Sequence, residues 1–319
     1  MRTLIKPYDE HYMNCYLNNL YSIACSYDKN YKLLSYKNDF HYSIIKNENK
    51  CKLHFDYTND FYLSIYNAIY NSAHGQQLDI FKIPLGEKKE INLQTFKDVP
   101  SWLLNNQILF IIIDLFNFNN KNIFYNKIHR EHFLLIIGYD QNKKEFMVLD
   151  NGNKGYGVYN IAYSNLYSLI DKDTPHGYVL DISKVKLFNQ AEINNDDIKN
   201  NANRLINETI FIVNEISETS FPRDYSEYCE LLIFVQRCFN RHISNKYLLE
   251  HLNTDKNIAL NKLLFDINKK LISNWYNIRA RMLKNTLAET EIQYEKIFQK
   301  LKLMFEDEIA FWSLLKKCL

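Results

Sequence analysis

A cysteine, a histidine and an aspartate of this chain stand where their side chains could carry out nucleophilic chemistry. Cys15 follows the polar stretch Tyr8-Asp9-Glu10-His11-Tyr12-Met13-Asn14 and heads the segment CYLNNLYSIACSY, in which Leu17, Leu20, Ile23 and Ala24 recur at helical spacing. The first turn of a helix exposes unpaired backbone N–H groups and a partial positive charge, which favours thiolate over thiol. Those N–H groups, the backbone of Cys15 included, can also hold the oxyanion that forms when a thiolate attacks a carbonyl. The alternative reading of Cys15 is a small buried residue at the edge of a core.

His132 opens the apolar run HFLLIIG, where a strand would hold the imidazole rigidly yet near its rim. A fixed imidazole of this kind makes a good general base. A surface or capping histidine is the other reading, and His129 stands close by in the preceding loop, where it would be less well fixed. Asp150 ends the next run, FMVLD, and the polar residues Tyr139 to Lys144 between the two runs read as a hairpin turn. Pairing through that turn sets the start of one strand beside the end of the other, so that Asp150 can fix the tautomer of His132 and stabilise its charged form. Asp150-Asn151-Gly152 is also an ordinary turn signal, and Asn151 is a second candidate for the orienting role.

The elements that must position these residues follow from where the chain breaks its patterns. All seven glycines (75, 86, 138, 152, 155, 157 and 177) fall in one window, which predicts the β-structure there, because glycine supplies the positive-φ positions of tight turns. Gln107–Asp114, His132–Gly138, Glu145–Leu149 and Gly177–Leu180 are short apolar or β-branched runs bounded by turn residues, hence strands. Beyond Gly177 there is no glycine and one proline, Pro222, and apolar residues recur at helical spacing. Leu260, Leu263, Leu264, Ile267, Leu271, Trp275, Ile278 and Met282 form one stripe, and Ile292, Ile297, Leu301, Met304, Ile309 and Trp312 a looser one. With Asn195–Ile216 and Ser226–Leu252 they predict a four-helix array. The expectation is an α+β chain: a helix and an antiparallel sheet over residues 1–185, then an all-helical region over 186–319.

Composition narrows the function classes. The 319 residues are 46% hydrophobic and 24% charged with few Gly and Pro, which excludes fibrous and disordered readings. A net charge of +2 argues against a broad nucleic-acid footprint. The longest apolar run, Gln107–Phe116, is about half a membrane span, and the first residues lack a signal-peptide core, so a soluble, cytoplasmic chain is expected. The six cysteines contain no CxxC pair and read as free thiols. No nucleotide-binding or zinc-protease motif occurs, and Gly152-Asn153-Lys154-Gly155-Tyr156-Gly157 reads as a turn and not as a phosphate cradle. His242 and His251 are nine residues apart on a helical segment, so no metal pair is expected, and Cys229 and Cys238 read as core thiols.

A cysteine opening the first helix, a histidine opening a strand and an aspartate closing its hairpin partner is the papain-like order of roles. The segment HFLLIIGYDQNKKEFMVLDNG resembles the corresponding part of papain-like peptidases in bacteriocin exporters, and resembles still more the amino-terminal domain of butirosin biosynthesis protein H and its relatives. That likeness covers roughly residues 8–182 and includes Asn14-Cys15-Tyr16-Leu17, the strand and aspartate Ile111-Ile112-Ile113-Asp114, and Tyr125 in an aromatic-rich loop. Where papain-type enzymes carry an oxyanion-hole glutamine, six residues before the cysteine, this chain has Asp9, and Lys29–Asp56 lacks the glycines many relatives carry.

The resemblance implies a papain-like catalytic domain and an acyltransferase related to the amide synthase of closthioamide biosynthesis. Cys15, His132 and Asp150 would be its catalytic residues, with Asp114 and Tyr125 on the substrate. It implies an acyl group delivered as a phosphopantetheinyl thioester on a carrier protein and passed to a small-molecule amine, with no other cofactor and no metal. A homodimer is compatible with it. The basic cluster Arg279, Arg281 and Lys284 beside Trp275 and Tyr276 is then either a docking patch for an acidic carrier or a solvated helix face. A cysteine peptidase or amide hydrolase using the same three residues, and an inactive papain-like scaffold, are the competing readings.

Overall fold

The computed structural model describes residues 5–8, 15–37, 40–47, 50–57, 87–90, 93–170, 176–188, 194–216, 221–222, 224–252, 258–288 and 293–319. It is an α+β protein with two compact units, one of residues 1–32 and 62–189, the other of 33–61 and 190–319.

In the first unit the central helix α1 (Cys15–Tyr27) is buried continuously from Tyr16 to Ala24. Its buried Ser22 finds partners nearby, donating to the Asn18 carbonyl (2.7 Å) and accepting from the backbone N–H of Tyr8 (2.9 Å). Ser26 likewise accepts from Lys6 N–H, so the segment before the helix is fastened along it. A six-stranded antiparallel sheet has the order β3-β8-β4-β5-β6-β7. Its strands are β3 (Glu87–Glu90), β4 (Gln107–Asp114), β5 (Glu131–Asp140), β6 (Glu145–Gly152), β7 (Gly155–Ala162) and β8 (His176–Asp181). Helices α2 (Leu93–Leu104) and α3 (Tyr163–Leu169) complete the unit. The central strand β4 is apolar along its length because β8 and β5 flank it and residues Ile108 to Ile113 are all buried.

The β5–β6 hairpin closes through Asp140, whose Oδ1 accepts from Asn142 N–H and Lys143 N–H, while Lys144 takes a left-handed φ of 54°. The ladder is not regular. Asp140 faces Glu145 and Gly138 faces Met147, but past a bulge at Ile137 the pairing becomes Ile136 with Val148 and Leu135 with Leu149. A one-residue slip exchanges the two faces of a strand. Continued in the shifted register, the ladder sets Asp150 level with Leu134, on the pleat of His132. The unshifted register would have set it level with Leu135, on the opposite one.

The second unit holds α4 (Asn195–Glu215), α5 (Tyr225–Leu252), α6 (Ile258–Ala288) and α7 (Tyr294–Cys318), together with the hairpin β1 (Phe40–Asn47) and β2 (Lys50–Tyr57). Two sequence expectations are corrected here. The region after residue 185 does not form a compact unit alone, and the unit it belongs to is not all-helical, because the β1–β2 hairpin packs with the helices. The reason lies in the side chains of β1: Tyr42 and Ile44 are buried, with the Tyr42 ring 5.7 Å from Phe234 and 5.6 Å from Phe305. These strands also lie outside the glycine window, and in β1 the alternation of buried Tyr42 and Ile44 with more open His41, Ser43 and Ile45 marks the strand instead. Strands β3 and β7 and helices α2 and α3 are further elements the sequence reading did not include.

Candidate active site

Cys15 is the first residue of α1 and is partly buried. His132 is the second residue of β5 and Asp150 the sixth of β6, and both are buried. The three side chains converge. His132 Nε2 lies 2.5 Å from Asp150 Oδ1. With Nε2 so engaged, Nδ1 is the ring nitrogen left for the hydrogen bond between the imidazole and the Cys15 thiol.

The electrostatics follow from this packing. Burial on its own would push the Cys15 thiol up, but the His132 imidazole, the Phe133 backbone N–H and the Lys121 ammonium outweigh it and bring the thiol down to about 7. Burial and the Lys121 charge oppose protonation of His132, yet Asp150 and Cys15 together hold it above the ordinary histidine value. Burial likewise opposes charge on Asp150, and His132, Lys121 and the Asn151 N–H keep its carboxyl below the ordinary range. Thiolate, imidazolium and carboxylate therefore stabilise one another near neutral pH. The helix start adds the backbone N–H groups of Cys15 and its neighbours for a developing oxyanion. Asp9 and Glu10, which stand near the position of the papain-type glutamine, lie outside the described residues.

The histidine ambiguity in the sequence is resolved by exposure. His129 is 74% exposed, stacks on Phe116 at 4.2 Å, and binds Asp114 Oδ2 at 2.6 Å through Nδ1. Asp114 ends β4 and organises its own loop: Oδ1 also accepts from the N–H groups of Phe116 (3.0 Å) and Arg130 (3.2 Å). Burial works against that carboxylate, but these hydrogen bonds hold it below its ordinary value. Asp114 is thus committed to the loop between β4 and β5, while Tyr125 lies exposed in the same loop. Neither contacts Cys15, His132 or Asp150 through a described hydrogen bond or ring contact. The Asn151 side chain does not hold His132; its carbonyl accepts from Lys121 Nζ.

Three residues around the site were not singled out from the sequence. Lys121 Nζ stands 3.2 Å from Asp150 Oδ1, the same oxygen that holds His132. Tyr156 on β7 donates to Asn19 Oδ1 (2.8 Å) and shares a hydrogen bond with Ser22 Oγ (2.9 Å); burial pushes its phenol up, so it stays neutral. Asn19, one turn after Cys15, is fully buried, and its Nδ2 has no partner among the described residues. Helical spacing from Cys15 is the one signal that could have found Asn19. Lysine and tyrosine are too frequent in this chain for Lys121 or Tyr156 to stand out.

The remaining sequence candidates fall elsewhere. Of the basic cluster, Arg281 and Lys284 are exposed, whereas Arg279 is half-buried with its guanidinium 6.0 Å from the Phe239 ring centre. Cys229 and Cys238 are buried on α5, and Gly152 to Gly155 is the β6–β7 turn. Among the described residues no group of His, Cys, Asp and Glu side chains could hold a metal ion, and no helix is long and apolar enough to cross a membrane. Comparison of the chain with known proteins finds no matching family model and no matching curated protein.

Proposed function

We propose that this chain is a cysteine-dependent acyltransferase with a papain-like catalytic domain, forming an amide between a carrier-bound acyl group and an amine. The observation that carries the reading is the meeting of Cys15, at a helix start and with its thiol lowered to about 7, with the buried His132–Asp150 pair. In the first half-reaction the Cys15 thiolate attacks the thioester carbonyl. The pantetheine sulfur leaves with the proton of the His132 imidazolium, and backbone N–H groups at the start of α1 hold the oxyanion. His132 is then neutral. In the second half-reaction the amine attacks the acyl-Cys15 carbonyl, His132 takes the amine proton, and the Cys15 thiolate leaves as the amide forms. Thioester exchange is nearly isoenergetic and aminolysis runs downhill, so neither step calls for a nucleotide. The likeness of HFLLIIGYDQNKKEFMVLDNG to the butirosin biosynthesis protein H family supports transfer to an amine over hydrolysis.

Incubation with an acyl-pantetheine thioester, followed by intact mass, tests the proposal. The expected result is an acyl adduct on Cys15 that an added amine discharges as an amide and that Cys15→Ala abolishes. Discharge by water alone would make the protein a hydrolase. An unmodified Cys15 would leave neither enzyme reading standing.

A further inference from the structure

Lys121 sits in the loop between β4 and β5, yet its ammonium reaches the far side of the His132–Asp150 pair. The loop is stitched to the β6–β7 turn through Asn153. The Asn153 N–H donates to the Asn120 carbonyl (2.9 Å), its Oδ1 accepts from Asn122 N–H (3.0 Å), and its Nδ2 donates to Asn122 Oδ1 (2.9 Å). Gly152 permits this approach. A Cβ there would lie 2.8 Å from the Tyr159 ring and 3.0 Å from Asn120 Nδ2, so one or both side chains would have to shift. So delivered, Lys121 Nζ donates to the Asn151 carbonyl and lies 3.2 Å from Asp150 Oδ1, with 10% of its side chain exposed.

We infer that Lys121 is a positioning residue that offsets the Asp150 charge, so that His132 becomes a neutral base once Cys15 is acylated. The inference rests on the reading of Cys15 as the nucleophile. Before acylation, two anions, the Cys15 thiolate and Asp150, hold the imidazolium against one cation, Lys121. Acylation removes the thiolate charge, and Lys121 then opposes Asp150 nearly alone. Among the described residues, the charged and titratable groups facing the imidazole are Cys15 from α1, Asp150 from β6 and Lys121 from the loop, with the neutral Tyr156 phenol of β7 close to Cys15 and Asp150. Without Lys121, Asp150 would keep the proton on His132 in the acyl-enzyme, and the amine proton would have nowhere to go.

The test is the pH profile of Cys15 alkylation by iodoacetate, located by peptide mapping. This anionic reagent needs the thiolate and is drawn by the imidazolium beside it, so a thiolate–imidazolium pair gives a bell, with an acid limb for Cys15 and a basic limb for His132. Removing a nearby positive charge favours the protonated form of both groups, so both limbs of Lys121→Met should move up by about one pH unit. Lys121→Gln keeps a donor for the Asn151 carbonyl without the charge and should shift equally, while Lys121→Arg should restore the wild-type limbs. Limbs that stay in place while the rate falls uniformly, in whichever neutral variant folds, would overturn the inference. A wild-type protein whose Cys15 shows no bell would instead overturn the reading of the site itself.

Discussion

Among the described residues there are two buried histidine–carboxylate pairs, each with a cysteine and a tyrosine beside it, and their surroundings differ. In the first unit His132 binds Asp150 through one nitrogen and leaves the other to a partly buried cysteine at a helix start. In the second unit both nitrogens of His242 are taken, by Glu308 Oε1 (2.9 Å) and Asn268 Oδ1 (3.1 Å). Glu308 is saturated in turn by Trp275 Nε1 (3.0 Å) and the Tyr42 hydroxyl (3.2 Å), and the Arg241 guanidinium lies 4.5 Å over the Tyr42 ring. Cys238 stands beside Tyr42 in the middle of α5, where burial and the Glu308 charge push its thiol well up. The same residue types thus leave an imidazole nitrogen and a thiol together in the first unit, and in the second occupy both imidazole nitrogens and both carboxylate oxygens within the core.

The widest separation of the two regions is expected from removing each carboxylate. Asp150→Asn, which keeps an oxygen for the imidazole but removes the charge, should lower acyl transfer by about 100-fold, the usual scale for a general base that is no longer held, with a smaller change in thermal midpoint than Glu308→Ala. Glu308→Ala strands His242 and the Trp275 N–H inside the helical unit and should destabilise it by about 3–5 kcal/mol, the scale for breaking a buried pair. Calorimetry and turnover measured on both variants check the split, and equal losses of stability would erase the distinction.

Next comes thiol reactivity. The Cys15 thiol titrates near 7, below the ordinary value, so its thiolate is populated above that pH and lost as pH falls through it. At pH 7 Cys15 should be alkylated more than about tenfold faster than an unperturbed thiol, and the rate should fall on acidification. Cys238, with its thiol raised, should stay unmodified until the chain unfolds. Peptide mapping of partly alkylated protein distinguishes the two.

A smaller effect is expected at Gly152. The added methyl of Gly152→Ala must displace the Tyr159 ring or Asn120, at a cost of about 1–3 kcal/mol as for other overpacked positions. Because Asn120 belongs to the loop that carries Lys121, turnover should also fall several-fold, whereas Gly157→Ala, which meets open space, should leave it unchanged. A Gly152→Ala protein with wild-type turnover would show that the loop does not need this close approach.

The order of cysteine, histidine and aspartate was legible in the amino-acid sequence, as were α1, β4, the β5–β6 hairpin and the four long helices. All of these rest on interactions between residues near one another in the chain: helical and strand periodicity, the Asp140 turn, the absence of glycine after residue 177. What joined them could not be read in that way. The Ile137 bulge decides which pleat Asp150 occupies, and in β5, buried on both faces, a one-residue slip leaves no mark on the hydrophobic pattern. Lys121 reaches Asp150 through contacts between residues about thirty positions apart, in a chain where lysine and asparagine are everywhere. The hairpin at 40–57 joins the helical unit because Tyr42 finds Phe234, Phe305 and Glu308, partners nearly two hundred residues away or more. Local patterning specifies the elements and the residues each one carries. Register across a bulge, and pairings over long chain separations, exist only when those elements pack.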